Sequence, residues 1–288
     1  MAKLFSVPIA SGGVFECKSL AKNVYLLSFE APPDNRVVSA FCESFLLALN
    51  ILEHRYPHGV LITTSAIPKF YSNGFILQHN AETPRFMERF CLPLIKKLLV
   101  YVKAVFESRK VLLAHSGFNR YPMPTIALIN GHCFGAGVFL AIAHDYRIQN
   151  PSKGFLCLPE IDLGAIIPSP FQQMFKQKLP SPAVFRLMAL EGKRIPGKDA
   201  LEMGIVDGLG GLEDVVRFVE TKMLTTKAEK GVWGSLKEDM YHETLTMMDE
   251  EGYHGSLKWR EELEKQKFEE KESALKQIEK FERSQAKL

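Results

Sequence analysis

Residues 130–145 read NGHCFGAGVFLAIAHD, and this stretch decides the fold class. Four of its first eight residues are small: Gly131, Gly135, Ala136 and Gly137. Small residues placed just before a helix let another group come close to the backbone. A β-branched run, PTIALI at 124–129, precedes the turn. The sequence therefore predicts a buried strand, a tight turn and then a helix from Val138 to His144.

Similar alternation of strand-like and helix-like runs fills the first two thirds of the chain. Runs rich in β-branched residues predict strands, and periodic apolar positions predict helices. The predicted strands are 24–31, 59–66, 124–129, 145–149 and 154–159, and the predicted helices are 37–56, 83–105 and one that follows the turn at 160–170. Repeated strand, loop and helix of this kind indicate an α/β core.

Composition narrows the class of protein. The chain has 288 residues, with 36 basic and 33 acidic side chains, and its net charge of +3 gives no support for nucleic-acid binding. Its five cysteines are odd in number and contain no CxxC pair, so we expect neither a disulfide framework nor a metal site. No apolar run is long enough to span a membrane.

Beyond about residue 207 the chain becomes helical and charged. The stretch 257–283 holds eight acidic and eight basic residues but no sustained heptad, which favours a surface helix over a coiled coil. The last three residues are AKL, a conservative variant of the peroxisomal SKL address. This ending is either an address for the peroxisomal import receptor or a chance feature of a lysine-rich tail. We expect a peroxisomal location, with the cytoplasm as the alternative.

Two glycine turns share one design. Gly74, in FYSNGFIL, and Gly135 each follow a predicted strand. Unpaired backbone N–H groups at such turns, aimed at one point, would form an oxyanion hole. A phosphate-binding loop and simple tight packing are the alternatives. The second turn has neither the G-x-G-x-x-G spacing nor the Gly-Lys-Ser/Thr of a P-loop.

Four segments together resemble the crotonase (enoyl-CoA hydratase/isomerase) superfamily. They are TTSAIPKFYSNGF, PTIALINGHCFGAGVFLAIAHDYRI, GFLCLPEIDLGAIIP and GKRIPGKDALEMGIVDGL, in the family's order and approximate spacing. The resemblance implies a spiral α/β core of ββα repeats over 1–207, followed by a helical region over 208–288. It also implies an acyl-CoA thioester substrate, no cofactor beyond the CoA of that substrate, and a homotrimer or hexamer.

The resemblance assigns roles to individual residues. The oxyanion donors would be the main-chain N–H groups of Phe75 and Ala136, with Gly74 and Gly135 leaving room for the thioester. Lys69 stands where a basic side chain could meet the CoA phosphates, although it could simply face water. Hydratases of the family hold a water between two glutamates, whereas this chain has Phe139 at the first position and Glu160 at the second.

A single acid is suited to isomerisation. Glu160 would move a proton from C2 to C4 of a 3-enoyl thioester, the reaction of a Δ3,Δ2-enoyl-CoA isomerase in fatty-acid β-oxidation. Phe139 and Leu158 are candidate apolar walls that would raise the pKa of Glu160. The alternatives are a hydratase or thioester hydrolase, a non-catalytic acyl-CoA-binding or assembly subunit, and a Glu160 that only caps a helix.

Other residues carry weaker expectations. We interpret Asp162 as a solvated turn residue. His132 and His144 are interpreted as structural, because the two histidines lack partners at metal-ligand spacing. The chain departs from the family at an extra stretch, 102–120, which would extend a helix, form a lid, or represent a translated intron.

Overall fold

The structure is a computed structural model that describes residues 2–99 and 123–285. The predicted insert at 102–120 and the terminal AKL at 286–288 lie outside these residues. The strands are β1 Ala2–Pro8, β2 Val14–Ala21, β3 Val24–Glu30, β4 Val60–Ser65, β5 Phe70–Ser72, β6 Thr125–Ile129, β7 His132–Phe134, β8 Tyr146–Gln149, β9 Leu156–Cys157 and β10 Gly208–Leu209. The helices of the first two thirds are α1 Ser39–Arg55, α2 Leu77–Glu82, α3 Leu92–Leu99, α4 Ala136–Ala143, α5 Ser169–Lys178, α6 Pro182–Ala189 and α7 Gly197–Glu202. The last helices are α8 Leu212–Thr221, α9 Leu224–Ala228, α10 Trp233–Met240, α11 His242–Met248 and α12 Glu250–Gln285.

Within the described residues, the strands form a large sheet of seven and a small sheet of three. The large sheet has the order β1-β2-β3-β4-β6-β8-β10, antiparallel among its first three strands and parallel from β3 onward. The small sheet is parallel, in the order β5-β7-β9. From β4 to β9, each successive turn of chain contributes one strand to the large sheet, one strand to the small sheet and then a helix. This is the predicted ββα spiral of a crotonase-type α/β core.

The alternation of side chains along each strand explains how the large sheet is covered. Tyr25, Leu27 and Phe29 of β3 face the main core, which also contains helices α1, α3 and α4. Val24 and Leu26 face the other way, toward a second apolar cluster that includes residues of α8 and α9. Because successive residues of a strand point to opposite faces, a continuous apolar run is required where both faces are buried.

The predicted helix at 83–105 was wrong at its start. The structure has a helix at Leu77–Glu82, an interruption, a π-helical segment at Met87–Cys91 and then α3. Pro84 disfavours helical geometry in the residue before it, and Arg85 has a φ of +55°. These two residues separate α2 from the segments that follow.

Residues after 207 are not a separate layer. Strand β10 pairs with β8 of the large sheet, and Val215, Val219 and Leu224 pack on that sheet. The division of the chain into a core over 1–207 and a helical C-terminal region over 208–288 stays a prediction. Helix α12 runs for 36 residues and is exposed over 264–279, as the charge pattern predicts. No helix in the two described ranges is long and apolar enough to cross a membrane.

Candidate active site

Three neighbouring strands of the small sheet position the predicted site. The first glycine turn follows β5, the second follows β7, and Glu160 follows β9. Parallel strands release the chain at the same edge of a sheet, so segments far apart in sequence meet there. The registers Phe70↔His132 and Phe134↔Cys157 fix their order.

The first turn touches the second turn directly. Gly74 has a φ of +75°, and a Cβ atom on it would lie 2.7 Å from the Phe134 carbonyl oxygen and 3.0 Å from the Ala136 nitrogen. Both the backbone conformation and the lack of space require glycine here. The backbone of the first turn is thereby packed against the start of helix α4.

Arg36 holds the first turn from outside. Its Nη1 donates to the carbonyl oxygens of Asn73 and Phe75, at 2.8 and 2.9 Å, and its Nε donates to Asp34 at 2.9 Å. Asp34 in turn accepts a hydrogen bond of 2.7 Å from the Asn73 side chain. The guanidinium therefore holds the peptide groups on either side of the one that carries the Phe75 N–H. The carbonyl of that middle peptide, Gly74 O, accepts a hydrogen bond of 2.9 Å from the Val37 N–H.

The second turn ends in the first residue of helix α4. Gly135 has a φ of +52°, and its N–H donates to the Cys157 carbonyl at 3.0 Å. Ala136 begins α4, where N–H groups have no partner within the helix. Neither the Phe75 N–H nor the Ala136 N–H donates a hydrogen bond to any other described residue. The helix dipole adds partial positive charge at Ala136.

Glu160 lies beside the second turn in a partly buried position. A Cβ atom on Gly135 would be 3.3 Å from Glu160 Oε1. Burial raises the pKa of Glu160 to about 7. Its Oε2 is buried, and no group in the described part of the chain hydrogen-bonds to it. A carboxyl group of this kind can hold or release a proton near neutral pH.

Phe139 forms an aromatic wall where the resemblance expects a second acid. Its ring stacks on Phe171, with 4.4 Å between ring centroids and 15° between ring planes. Phe75 and Phe175 meet the same ring edge-on. Phe139 is only 1% exposed. This packing leaves no polar partner for a bound water on the Phe139 side.

A cavity of about 640 Å³, here called the amide cavity, unites most of the predicted residues. Six of them line it: Gly74, Phe75, Gly135, Ala136, Phe139 and Glu160. Lys69 and Leu158 are not among its lining residues. Lys69 is exposed, with its Nζ 5.4 Å from the centre of the Phe70 ring, and Leu158 is fully buried in the core. Pro159, one residue later, lines the cavity in place of Leu158.

The remaining polar candidates lie elsewhere. Asp162 is exposed and does not line the amide cavity. His144 is fully buried and bonded to Thr63 and the Leu140 carbonyl, and burial lowers its pKa to about 3. Burial also lowers the pKa of His132, with Lys69 and Arg194 acting in the same direction. No grouping of three metal-ligating side chains occurs in residues 2–99 and 123–285.

Sequence reasoning missed several residues that line this cavity. Arg85, Glu88 and Asn80 line it, and Ala165 and Ile166 close it near Glu160. The apolar run GAIIP at 164–168, four residues after the acid, was a usable signal for the last two. Glu88 contacts His254 at 3.2 Å and Arg85 at 3.7 Å, so the two carboxyl groups that line this cavity differ in their pairing.

Comparison with known proteins identifies the family. Residues 19–284 match the family model described as "Enoyl-CoA hydratase/isomerase". The chain belongs to this family. It is a crotonase-family acyl-CoA enzyme, as the four sequence segments predicted.

Relatives in the family carry more than one name. "Enoyl-CoA delta isomerase 2, peroxisomal" of Arabidopsis thaliana is 28% identical over 229 residues, which cover 77% of this chain and 90% of that protein. An apo structure from Mycobacterium tuberculosis, titled as an enoyl-CoA isomerase, has a TM-score of 0.66 at 18% identity, covering 84% of this chain and 97% of that one. A Mycobacterium marinum structure titled as an enoyl-CoA hydratase has a TM-score of 0.63, also at 18% identity, covering 84% and 97%. The fold alone therefore does not decide the reaction.

Proposed function

We propose that this crotonase-family chain is a Δ3,Δ2-enoyl-CoA isomerase, which converts 3-enoyl-CoA into trans-2-enoyl-CoA. The observation that carries the proposal is a carboxyl group, Glu160, that has no ion-pair partner among the residues the structure describes. It shares a cavity with two N–H groups and an aromatic wall. The names of the Arabidopsis relatives support the same reaction.

The reaction begins with the thioester oxygen at the two amides. The Phe75 and Ala136 N–H groups donate to that oxygen, and Glu160 removes a proton from C2. The electrons of the broken C–H bond form a dienolate, whose negative charge rests on the oxygen. Each donor contributes roughly 3 kcal/mol to stabilising such a charge.

The proton then returns at a different carbon. Protonated Glu160 donates it to C4, the double bond settles between C2 and C3, and the thioester carbonyl re-forms. The raised pKa of Glu160 serves both halves of this cycle, because the group must accept and release the same proton near neutral pH. One proton moves and no electrons pass to an acceptor, so the proposal includes no cofactor beyond the substrate's own CoA.

Phe139 separates this reaction from hydration. A hydratase adds the elements of water across the double bond and needs a water held on both sides. Here the stacked rings of Phe139 and Phe171 occupy one of those sides. The carboxyl group of Glu160 therefore has no second acid at position 139 with which to hold and activate a water.

An absorbance assay tests the proposal. Purified protein with 3-hexenoyl-CoA should produce the absorbance of a conjugated 2-enoyl thioester, and Glu160→Gln should remove that activity. Asp162→Asn is the matched control, because Asp162 is an exposed acid two residues away that does not line the cavity. Undiminished turnover in Glu160→Gln would rule out Glu160 as the base.

Other outcomes would favour other members of the family's chemistry. Addition of water to a 2-enoyl-CoA would indicate a hydratase, and release of free CoA would indicate a thioester hydrolase. Binding of acyl-CoA with no turnover would indicate a non-catalytic subunit.

We also propose a peroxisomal location and a homotrimer or hexamer. The peroxisomal names of relatives support the first, and the resemblance of the sequence to the crotonase superfamily supports the second. A fluorescent fusion should co-localise with a peroxisomal marker, and removal of residues 286–288 should release it. Light scattering should give the mass of three or six chains, and the mass of a single chain would contradict this assembly.

A further inference from the structure

Arg85 lies in the wall of the amide cavity with a backbone conformation that favours glycine. Its φ is +55°, and it stands between helix α2 and the π-helical segment at Met87–Cys91. A residue with a Cβ atom keeps this conformation only where its surroundings hold it there, and such residues are concentrated at functional sites. The contacts of Arg85 and of the residue after it identify what holds it and what it supports.

Building on the isomerase function proposed above, we propose that Arg85 is a positioning residue for the reaction. It holds the ring of Phe86 against Phe75, whose N–H is a proposed oxyanion donor. Arg85 is itself held by Glu250, at the start of helix α12. An exposed acid outside the amide cavity thereby affects the direction of an N–H group inside it.

The start of helix α12 binds this wall of the cavity at two points. Nη2 of Arg85 donates to Oε1 of Glu250 at 2.5 Å, and Nε of Arg85 is 3.7 Å from Oε1 of Glu88. His254, one helical turn after Glu250, contacts the same Glu88 oxygen at 3.2 Å. Because the side chains of Arg85 and Glu250 are 53% and 66% exposed, their ion pair adds little to the stability of the fold. Its main effect is on the geometry of the wall.

Phe86 passes this geometry on to the first glycine turn. It is 3% exposed and lines the amide cavity. Its ring meets the Phe75 ring edge-on, with 5.6 Å between ring centroids and 89° between ring planes, an arrangement that aromatic pairs prefer. Phe139 also meets the Phe75 ring, at 6.0 Å, but it belongs to helix α4. Phe86 follows Arg85 directly, so its place depends on the conformation of Arg85.

The position of the Phe75 side chain fixes the direction of the Phe75 N–H. A peptide group is planar, so this N–H lies in the plane that contains the Gly74 carbonyl and the Cα atom of Phe75. The Gly74 carbonyl is anchored by the Val37 N–H at 2.9 Å. The Cα atom is anchored through the ring contacts of Phe75. A displaced Phe86 would leave the first anchor in place and weaken the second.

Arg85→Gly tests the role of Arg85 in catalysis. Glycine adopts the same φ without strain and the lost ion pair is exposed, so we expect Tm to stay within about 3 °C of wild type. We expect kcat for 3-hexenoyl-CoA to fall by about tenfold and KM to change by less than about twofold, because orientation matters most in the transition state. Asn23→Gly is the matched control, since Asn23 has a φ of +57° and does not line the amide cavity. This control should keep the kcat and KM of wild type.

Glu250→Gln tests the link from helix α12. Glu250 does not line the amide cavity, so the substitution can reach the reaction only through Arg85. We expect kcat to fall by about threefold. The double variant Arg85→Gly with Glu250→Gln should have the kcat of Arg85→Gly alone, because residues that act through one contact are not additive. Glu251→Gln, at the exposed neighbouring acid of the same helix, is the control and should match wild type.

An infrared measurement tests the same link without turnover. A hydrogen bond to a carbonyl oxygen lowers its stretching frequency, so binding should lower the carbonyl frequency of hexanoyl-CoA labelled with ¹³C at the thioester carbon. Arg85→Gly should reverse part of this shift, and Asn23→Gly should keep all of it. A wild-type protein that shifts the band but fails the 3-hexenoyl-CoA assay would refute only the isomerase.

Two results would overturn the inference. One is an Arg85→Gly variant with the kcat and the carbonyl band of wild type. The other is a double variant whose loss of kcat equals the product of the two single losses, because Glu250 would then act independently of Arg85. If Arg85→Gly does not fold, Glu250→Gln decides alone, and an unchanged kcat and band in that variant would overturn the inference.

Discussion

The Glu160 carboxyl group occupies the space that a side chain at Gly135 would enter: a Cβ atom on Gly135 would lie 3.3 Å from the Oε1 atom of Glu160. The proposed base and the turn that carries a proposed oxyanion donor thus share one small volume. Any side chain at residue 135 would press on the carboxyl group, and this contact leads to the first prediction.

Gly135→Ala should lower kcat by about tenfold or more, because misplacement of a reacting group by a fraction of an ångström is costly. The φ of +52° should also cost about 1–3 kcal/mol of stability. The control is Gly231→Ala, where φ is +71° and no atom lies within 4 Å of the added Cβ. Steady-state kinetics and denaturant melts should show lost stability in both variants and lost activity only in Gly135→Ala. Equal activity in the two would contradict the contact's role.

The pH profile should report Glu160. The base must be ionised to take the C2 proton, so kcat/KM should rise with pH and level off above an apparent pKa of about 7. A carboxyl group in water has an ordinary pKa of 4.5 and would place this rise there. Initial rates with 3-hexenoyl-CoA between pH 5 and 9 measure it. A profile already flat at pH 5 would show that the carboxyl is not in an apolar site.

Stability should depend on pH through the same group. In the folded protein the pKa of Glu160 is about 7, above its ordinary value of 4.5. The free energy of unfolding is therefore highest below pH 4.5, and the contribution of protonated Glu160 is lost as pH rises through 7. Glu160→Gln cannot ionise, so its stability advantage over wild type should grow across this window, by roughly 2–3 kcal/mol. Urea melts of both proteins at pH 5 and pH 8 give the difference. A gap that does not change with pH would refute the shift.

Arg36→Lys should affect catalysis more than folding. A lysine can hold one carbonyl but cannot hold Asn73, Phe75 and Asp34 together as the guanidinium does. We expect kcat to fall by about tenfold to a hundredfold, with a smaller change in KM. The reason is that the Phe75 N–H would no longer point at the thioester oxygen in the transition state. Arg217→Lys, at a side chain that is 72% exposed, is the control. An unchanged kcat in Arg36→Lys would show that catalysis does not depend on the hydrogen bonds that Arg36 makes to the first turn.

The buried pair Lys237–Asp145 should anchor helix α10 to the large sheet. The two side chains are 5% and 8% exposed and 2.8 Å apart. Burial on its own would raise the pKa of Asp145, but Lys237 and Lys178 outweigh it and lower that pKa. Lys237→Met leaves a buried charge unpaired and should cost about 3–5 kcal/mol in urea unfolding. The double variant Lys237→Met with Asp145→Asn should cost less than the sum of the single variants, and strict additivity would mean that the pair is not coupled.

Local sequence was enough for much of the fold. The strands at Val24–Glu30, Val60–Ser65 and Thr125–Ile129 and the helix at Ser39–Arg55 are confirmed within a few residues. Their signal is periodicity and β-branching, which does not depend on the rest of the chain. The start of the helix predicted at 83–105 was wrong because the prediction gave more weight to apolar spacing than to Pro84. In the structure, Pro84 and Arg85 separate α2 from the helical segments that follow.

The site shows what a local pattern cannot supply. Gly74 and Gly135 could be singled out by their turns, but their contact depends on the pairing of β5 with β7. The clamp by Arg36 acts across 39 positions of sequence and leaves no local trace. The sequence pattern also could not tell which of two adjacent residues faces the cavity. Leu158 is buried in the core, whereas Pro159 lines the cavity.

The stacked rings of Phe139 and Phe171 restrict how this enzyme could be converted into a relative with different chemistry. An acid introduced at residue 139 alone would place a charge against an aromatic face, sealed from solvent by Phe175. The protein would lose stability before it acquired a second proton carrier. A change from the proposed isomerase to water addition would therefore have to alter α4 and α5 together, because the packing between these two helices excludes an acid at residue 139.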